Sequence, residues 1–204
     1  MQIVVVGSGG HAKVVIATAR AAGMHVVGVV DDAPARWGEL VLGVKVDGPC
    51  AVALDDPAVV AVLAIGNNAV RARLAATARC AFATVVHPSA VVHASVTLGP
   101  GTVVFAGAVV QPDTRIGAHG ILNTRASVDH DCVIGAHVHI APGASLAGTV
   151  TLGDGVFMGI GSVAIPGVTV GEWSIVGAGA AVVRSLPSRV TAVGVPAKVP
   201  GHPP

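Results

Sequence analysis

One pair of side chains in this sequence has the types that proton transfer requires. His130 and Asp131 are adjacent in the segment Val128–Val133. A neutral imidazole can accept a proton near pH 7, and an anionic carboxylate beside it can orient the ring and raise its basicity. The pair therefore indicates a general base, with a solvated surface pair as the structural alternative.

A second chemical feature is a glycine-rich segment close to the N-terminus. The run GSGGHA, Gly7–Ala12, follows the apolar stretch Ile3–Val6 and precedes a stretch with helical character. Backbone amides at a helix N-terminus favour phosphate. Asp31 and Asp32 follow a second apolar stretch, where carboxylates can accept hydrogen bonds from a ribose or a base. Together these features form a weak dinucleotide fingerprint, and a solvated turn remains the alternative for the two aspartates.

The elements that position these residues divide the chain into two regions, 1–84 and 85–204. In the first region apolar runs alternate with helical stretches, which predicts a small parallel sheet and at most half of a dinucleotide fold. The predicted strands are Ile3–Val6, Val26–Val30 and Val59–Ile65, and the predicted helices are Lys13–Ala22 and Ala69–Arg79.

The second region repeats every six residues. Seventeen positions in this register are all apolar, and chance gives that outcome on the order of 10⁻⁵ for one chosen register. They are Val86, Val92, Leu98, Val104, Val110, Ile116, Leu122, Val128, Ile134, Ile140, Leu146, Leu152, Met158, Ala164, Val170, Val176 and Val182.

A six-residue period with frequent glycine predicts a parallel β-helix. Three hexads, about eighteen residues, complete one triangular coil, so the repeat predicts between five and six coils. The alternative is a sandwich of short strands, which would show a period of two and irregular loops. After Val182 the repeat ends, and Arg184–Pro204 is predicted to be a Pro-rich tail.

Composition excludes several classes of function. The formal net charge is +1, aromatic residues are 2% of the chain and Tyr is absent, which argues against nucleic-acid partners. The segment Cys132–Gly153 lacks Asp, Glu, Lys and Arg, but its Gly and Pro residues make it a poor membrane helix. The N-terminus lacks the basic region of a signal peptide. We therefore expect a cytoplasmic protein without membrane insertion.

Cysteine and histidine spacings do not predict a metal site. Three widely spaced cysteines, an odd number, are expected to be free buried thiols: Cys50, Cys80 and Cys132. The four histidines His119, His130, His137 and His139 fit no zinc motif, and no Cys or Glu completes a ligand set. We therefore expect no bound metal.

The sequence resembles the hexapeptide-repeat acyltransferases through this repeat and the tail motif Gly194–Lys198. Within them it is similar to the bacterial nucleotide-sugar N-acetyltransferases that are grouped with sialic-acid O-acetyltransferases. The resemblance covers essentially the whole chain. Its marks are GSGGHAKVV at Gly7–Val15, the pair Asp31–Asp32, IGNN at Ile65–Asn68, ILNT at Ile121–Thr124 and HDCVIG at His130–Gly135.

The resemblance implies a Rossmann-like nucleotide-sugar-binding domain (1–84) on a left-handed parallel β-helix acetyltransferase domain (85–204). It implies a homotrimer with active sites between subunits. The expected reaction is direct transfer of acetyl from acetyl-coenzyme A to a UDP- or GDP-linked 4-amino-4,6-dideoxy sugar, and the alternative is O-acetylation of sialic acid or a related sugar. A nucleotide-sensing protein and a structural solenoid are further alternatives, but neither explains the His130–Asp131 pair.

The resemblance also implies roles for individual residues. His130 is expected to be the general base, oriented by Asp131 where the family often has Glu. The coenzyme is expected to contact His139, Gly148, Ile160 and Ala178, where the family often has Gly in place of Ala178, and the Gly148 amide of a neighbouring subunit is a candidate donor to the oxyanion. The sugar nucleotide is expected to contact Gly9, Gly10, His11, Asp31, Asp32, Gly66, Asn67 and Asn123, although Asn123 could be a corner residue only.

Overall fold

The structure is a computed structural model that describes residues 1–200, and the last four residues of the predicted tail lie outside the described residues. Its first region contains a four-stranded parallel sheet, in which the strands follow one another in the order His25–Val30, Gln2–Val6, Val60–Leu63 and Ala81–Phe82. The elements are β1 (Gln2–Val6), α1 (Gly10–Ala21), β2 (His25–Val30), a 3₁₀ turn (Pro34–Arg36), β3 (Leu40–Val41), β4 (Val44–Lys45), α2 (Ala51–Leu54), β5 (Val60–Leu63), α3 (Asn68–Thr77) and β6 (Ala81–Phe82).

The three predicted strands and two predicted helices are all present, and their ends differ by up to three residues. The small parallel α/β domain is therefore confirmed. Sequence patterns missed the antiparallel hairpin of β3 and β4, the single-turn helix α2 and the two-residue strand β6. These elements are too short to leave a periodic signal.

The second region is a parallel β-helix built from two-residue strands. The strands are β7 (Val85–Val86), β8 (Val91–Val92), β9 (Thr97–Leu98), β10 (Val103–Val104), β11 (Val109–Val110), β12 (Arg115–Ile116), β13 (Ile121–Leu122), β14 (Ser127–Val128), β15 (Val133–Ile134), β16 (His139–Ile140), β17 (Ser145–Leu146), β18 (Thr151–Leu152), β19 (Phe157–Met158), β20 (Val163–Ala164), β21 (Thr169–Val170), β22 (Ile175–Val176), β23 (Ala181–Val182) and β24 (Thr191–Ala192).

Three parallel sheets form three faces of this β-helix. The first face runs from β7 to β24 through β10, β13, β16, β19 and β22. The second runs from β8 to β23 through β11, β14, β17 and β20, and the third from β9 to β21 through β12, β15 and β18. Strands from β7 to β20 pair with the strand eighteen residues further on, as in Val103 with Ile121. Eighteen residues therefore make one coil, as the hexad period predicts.

The predicted interior register is confirmed in detail. Each of the seventeen apolar positions is the second residue of a strand from β7 to β23, and those from Val104 to Val182 belong to one continuous buried core. The left hand of the coil stays a prediction from the resemblance.

The region after Val182 differs from the prediction. Strand β24 pairs with β22 on the first face, and Leu186 forms a bridge with Val170. The β-helix therefore continues into the segment predicted as a tail. The hexad register is lost there, so the sequence pattern did not show the extra strand.

The N-terminal domain packs directly on the first face of the β-helix. One buried cluster joins Ile3 and Ile16 of the domain to Val103, Phe105 and Ile121 of that face. Strand β6 ends at Phe82 and β7 begins at Val85, so no long linker separates the two units. A shared core of this kind fixes how the domain lies on the coils.

A buried arginine reinforces this contact. Arg71 of α3 is only 1% exposed and donates from Nε to the carbonyl oxygen of His119 at 2.9 Å and from Nη2 to that of His137 at 2.6 Å. Asn68 donates to the carbonyl oxygen of Gly155 at 3.0 Å. These three carbonyls lie on successive coils, so α3 is attached to three coils at once. Burial lowers the pKa of Arg71 to about 10.

None of the helices within residues 1–200 is long and apolar enough to cross a membrane.

Candidate active site

The predicted base lies at the corner between the second and third faces. Val128 ends β14 and Cys132 precedes β15, and both are fully buried. The His130 side chain between them is 56% exposed. Asp131 adopts φ of +57° at the turn, the left-handed conformation that Asp tolerates better than most residues. The corner geometry therefore turns His130 outward, as the register predicts.

His130 and Asp131 form a hydrogen-bonded pair. The Nδ1 atom of His130 lies 2.8 Å from Oδ2 of Asp131. A carboxylate only accepts, so Nδ1 carries the proton and Nε2 presents its lone pair. Nε2 has no hydrogen-bond partner among residues 1–200. The hydrogen bond to Asp131 raises the pKa of His130, and the charge of Asp129 adds to this effect.

Gly148 lies against the His130 ring on the next coil of the same chain. A methyl group at Gly148 would come within 2.6 Å of Cε1 and 2.7 Å of Nε2 of His130. The site therefore requires glycine at this position if the ring keeps its place. The backbone N–H of Gly148 donates no hydrogen bond within the described chain, so it is available as a donor next to the imidazole.

A second group of predicted residues meets where the N-terminal domain covers the first face. His139 is 7% exposed, with Nδ1 3.3 Å from the carbonyl oxygen of Gly66 and Nε2 3.0 Å from Nδ2 of Asn123. Because the carbonyl accepts and the amide nitrogen donates, His139 is the neutral Nδ1–H tautomer. Burial lowers the pKa of His139, the hydrogen bond to the Gly66 carbonyl opposes this, and the charges of Arg71 and His11 assist it, so that the pKa is about 4.

His11 completes this group, which we call the seam cluster: His11, Gly66, Asn123 and His139. The His11 ring lies 6.1 Å from that of His139 and 5.4 Å from that of Phe105. Burial, with a smaller contribution from the Arg71 charge, lowers the pKa of His11 to about 4. Its Nε2 is buried without a hydrogen-bond partner in the part of the chain described here. The cluster therefore places His139 with His11, Gly66 and Asn123, which are predicted sugar-nucleotide contacts.

The glycine loop is braced by Asp31. The Ser8 backbone N–H and hydroxyl donate to Oδ2 of Asp31 at 2.7 and 2.6 Å, and the Ala33 N–H donates to Oδ1 at 2.9 Å. Burial opposes ionisation, but these hydrogen bonds and the Arg36 charge leave the pKa of Asp31 lowered. Both carboxylate oxygens are thus used inside the domain. Asp31 therefore stabilises the glycine loop, and its contact with a ligand stays a prediction.

The remaining predicted pocket residues have different surroundings. Asp32 is exposed and accepts a hydrogen bond from the Cys50 N–H at 2.9 Å through Oδ1. Gly9 and Gly10 are exposed, with no atom within 4 Å of an added methyl group, so a ligand can approach their backbone. Asn67 caps α3 by accepting from the Val70 N–H at 3.0 Å. Asn67 therefore has a structural role that its sequence context did not show.

The predicted coenzyme contacts Ile160 and Ala178 lie at a different corner from His130. Both are exposed, Ile160 by 61%, and Ile160 accepts a backbone hydrogen bond from Gly179 at 2.8 Å. They follow first-face strands β19 and β22, so they occupy the corner between the first and second faces, which Asn123 also borders. Within one chain, His130 and these residues are not brought together.

Two histidines that entered the metal alternative form a stack. The His119 and His137 rings are 5.2 Å apart and 2° from parallel. Burial lowers the pKa of His119 to about 4, assisted by the charges of His137 and Arg71. Within residues 1–200 no group of three His, Cys, Asp or Glu side chains is arranged to hold a metal ion.

Sequence reasoning missed two residues near these sites. Arg71 attaches the N-terminal domain to the coils. In the sequence it is one cationic residue on a predicted helix, and the only unusual feature is that charged residues make up just 11% of the chain. Trp37 lies beside the glycine loop, with its indole N–H donating to the Asp31 carbonyl oxygen at 2.7 Å. Neither residue belongs to a recognisable motif.

Comparison with known proteins finds relatives over the whole chain. The family described as the PglD N-terminal domain matches residues 2–78. PerB from Caulobacter crescentus, solved with CoA and GDP-perosamine, is 45% identical over 98% of this chain and 98% of that chain, with a TM-score of 0.92. A related structure from the same organism is named as a perosamine N-acetyltransferase, with 42% identity, coverage of 99% and 98%, and a TM-score of 0.92.

A second relative supports the same assignment. The acetyltransferase domain of PglB from Neisseria gonorrhoeae, solved with acetyl coenzyme A, is 36% identical over 97% of this chain and 98% of that chain, with a TM-score of 0.90. Curated protein sequences gave no significant match. Since relatives well above 30% identity share the fold from end to end, this chain belongs to the hexapeptide-repeat sugar N-acetyltransferases and is an acyltransferase.

Proposed function

We propose that this protein transfers an acetyl group from acetyl-coenzyme A to the amine of a nucleotide-linked 4-amino-4,6-dideoxy sugar, with His130 as general base. The observation that carries the proposal is the His130–Asp131 pair, with its 2.8 Å hydrogen bond and a free Nε2. A relative at 45% identity binds CoA and GDP-perosamine, which favours GDP over UDP as the carrier. It also favours N-acetylation over the O-acetylation of a sialic acid.

The chemistry needs one proton acceptor and one donor to an oxyanion. The sugar amine attacks the thioester carbonyl, a C–N bond forms, and His130 Nε2 takes a proton from the nitrogen. The Asp131 carboxylate stabilises the resulting imidazolium through Nδ1–H. When the intermediate collapses, the C–S bond breaks, the His130 imidazolium donates its proton to the sulfur, and the coenzyme leaves as a thiol.

Two neighbouring groups fit this direct attack. The Gly148 N–H next to the imidazole is a suitable donor to the oxyanion, from this chain or from an adjacent subunit. Cys132, the nearest thiol in sequence, is buried and donates to the Ala147 carbonyl oxygen at 3.3 Å. Burial also raises the pKa of Cys132. It is therefore a poor nucleophile, which supports transfer without an acyl-enzyme.

The placement of these groups favours a site shared between subunits. His130 lies at the corner between the second and third faces, whereas the N-terminal domain covers the first face. The base and the sugar-nucleotide pocket of one chain therefore lie on different sides of the prism. A neighbouring subunit can bring its own His130 to the corner that carries Asn123 and Ile160.

A closed trimer is the assembly that supplies such a neighbour to every chain. Cyclic symmetry places the same two corners together at each interface. Exposed apolar side chains on the second and third faces, Val133, Val163 and Ile165, offer surface for it. Light scattering should report a trimer; a stable monomer at micromolar concentration that retains full activity would contradict the shared site.

The seam cluster and the glycine loop supply the acceptor side of this proposal. The neutral Nδ1–H tautomer of His139, fixed by Gly66 and Asn123, keeps the Asn123 amide in place near the sugar amine. The exposed Gly9 and Gly10 amides at the start of α1 suit the diphosphate. Free thiols at Cys50, Cys80 and Cys132 fit a reducing compartment such as the cytoplasm.

The test is product analysis with defined substrates. The purified protein is incubated with acetyl-coenzyme A and a panel of GDP- and UDP-linked 4-amino-4,6-dideoxy sugars, and products are identified by mass spectrometry. We expect a mono-acetylated GDP sugar whose acetyl group resists hydroxylamine, because an amide persists where an ester is cleaved. A hydroxylamine-labile product, or acetylation only of free sialic acid, would replace the proposal with O-acetyl transfer.

A further inference from the structure

Trp37 is an exposed aromatic side chain in a protein with few aromatic residues. The chain contains two Trp, three Phe and no Tyr, and Trp37 is 44% exposed. Its indole N–H donates to the Asp31 carbonyl oxygen at 2.7 Å. The polar atom of the ring is therefore already bonded and the ring is held in place, so the exposed part is a fixed aromatic face.

This face lies in the segment that holds the glycine loop. Asp31, whose carbonyl accepts from Trp37, binds Ser8 of the loop through its carboxylate. Arg36, the residue before Trp37, donates from Nη2 to the Ser8 carbonyl oxygen at 3.0 Å. Trp37 is thus tied from two directions to the loop whose amides suit a diphosphate.

The neighbouring carboxylate gives a second point of recognition. Asp32 is exposed, and only its Oδ1 accepts a hydrogen bond within the described residues, from the Cys50 N–H. A nucleobase presents a flat π face and, at its edge, N–H donors. The fixed indole face and the carboxylate of Asp32, the residue that follows the partner of the indole N–H, complement those two features.

We propose that Trp37 stacks on the nucleobase of the sugar nucleotide and makes the pocket select a purine, with Asp32 accepting from the base edge. The inference rests on the proposed function, because it takes the glycine loop as the diphosphate site. A purine covers more of the indole than a pyrimidine does, so stacking favours GDP over UDP. Trp37 is then a specificity-determining residue, remote from the atoms that react.

Tryptophan fluorescence tests the contact directly. Trp173 is the only other tryptophan, and its ring packs over Gly155 at a corner of the β-helix. The Trp173→Phe variant therefore leaves Trp37 as the sole indole reporter. Titration with GDP should quench its emission saturably, with the same midpoint that calorimetry gives, whereas UDP should bind more weakly.

Three variants separate stacking from other roles. Trp37→Ala should weaken GDP binding roughly 10-fold or more, as removal of one stacking partner does, while kcat at saturating acceptor stays near wild type. Trp37→Phe keeps a ring and should retain most of the affinity, although it loses the bond to Asp31. Leu40→Ala removes an exposed apolar side chain from the adjacent hairpin and should leave binding unchanged. Circular dichroism and thermal melting check that each variant is folded.

The outcomes distinguish this inference from the proposed function. If Trp37→Ala binds GDP like wild type while acetylation continues, stacking is wrong and the enzyme assignment stands. If Trp37→Phe loses as much affinity as Trp37→Ala, the Asp31 hydrogen bond matters and stacking does not. If wild type binds neither GDP nor UDP, the nucleotide pocket is wrong and both proposals fail together.

Discussion

Two histidines nine residues apart in the β-helix have opposite surroundings. His130 at the exposed corner pairs with a carboxylate, which raises its pKa. His139 at the seam is buried between a carbonyl and an amide, and its pKa is lowered to about 4. The surroundings of His130 therefore favour the protonated imidazole, whereas those of His139 favour a neutral, hydrogen-bonded ring.

In the proposed function, one repeat therefore separates catalysis, at the corner, from substrate binding, at the first face. Every corner of the β-helix presents outward residues, but only the first face is covered by another domain. Burial there removes charge from histidines and leaves fixed donors and acceptors, which suit binding. The open corner leaves His130 exposed, as its proposed role in proton transfer requires. Changes at the corner should therefore affect kcat, and changes in the N-terminal domain should affect the KM of the acceptor.

The largest effect should follow removal of the corner base. His130→Asn preserves size but cannot take a proton, so kcat should fall roughly 10²- to 10⁴-fold with acetyl-coenzyme A affinity largely kept. Steady-state kinetics and coenzyme binding measure the two quantities. His93→Asn, which alters an exposed histidine bonded to Ser95, is the matched control and should be neutral. Near-normal kcat in a folded His130→Asn protein would move the base elsewhere.

Acid stability should report the buried histidines. The pKa values of His11, His119 and His139 are lowered to about 4, while unfolded His titrates near 6.5. Above pH 6.5 all three are neutral in both states and contribute nothing. Between about 6.5 and 4 the unfolded state binds more protons, so the free energy of unfolding should fall by a few kcal/mol in total, and below about 4 these groups cause no further loss.

Urea unfolding at pH 7.5, 6.0 and 5.0 measures this loss. His119→Asn removes one titrating group and suits the positive φ of 56° at that corner, so its stability should depend less on pH. His130→Asn should act in the opposite direction, because a raised pKa favours the folded state at low pH. Equal slopes in wild type, His119→Asn and His130→Asn would show that these histidines do not control the acid sensitivity.

A smaller effect should appear on acceptor binding. Asp32→Ala removes an exposed carboxylate beside the glycine loop and should raise the acceptor KM by about 10-fold, with little change in the donor KM. Initial-rate kinetics with each substrate varied in turn give both values. Asp47→Ala, which breaks an exposed ion pair with Lys45, controls for loss of a carboxylate in the same domain. A parallel rise in both KM values would remove Asp32 from the pocket.

The smallest effect concerns the partner of the base. Asp131→Asn should lower kcat/KM several-fold to about 10-fold and move the acidic limb of its pH profile to lower pH, because Asp131 raises the pKa of His130. Asp129→Asn should move the same limb less, since Asp129 acts only through its charge. An unshifted limb in Asp131→Asn would mean that the limb reports another group.

Local pattern predicted the β-helix better than it predicted the site. The hexad register placed Val86 to Val182 correctly because each apolar position is set by its own coil. The register did not predict strand β24, because Leu186 and Ala192 pair with the coils at positions that do not continue the six-residue period. The burial of His139 could not be predicted, since the residue occupies an outward position that only the docked domain covers.

The site predictions show the same limit. The outward direction of His130 follows from its place two residues after Val128, so local sequence sufficed. Asn67 and Asp31 were predicted as ligand contacts, and the structure adds roles that their motifs did not show: Asn67 accepts from Val70 at the start of α3, and Asp31 accepts from Ser8 of the glycine loop. Such hydrogen bonds depend on tertiary geometry that a motif does not encode.

The attachment of α3 through Arg71 and Asn68 has a consequence for the architecture of the chain. Their three acceptor carbonyls, on His119, His137 and Gly155, lie one on each of three successive coils, so α3 binds only where these coils have this spacing. A whole eighteen-residue coil inserted after residue 158 would lengthen the β-helix without moving the N-terminal domain relative to these three carbonyls. The same insertion between His119 and Gly155 would move these carbonyls apart, so that α3 could no longer bind all three. Length can therefore vary at the C-terminal end of this protein, while the spacing between pocket and solenoid is fixed near its middle.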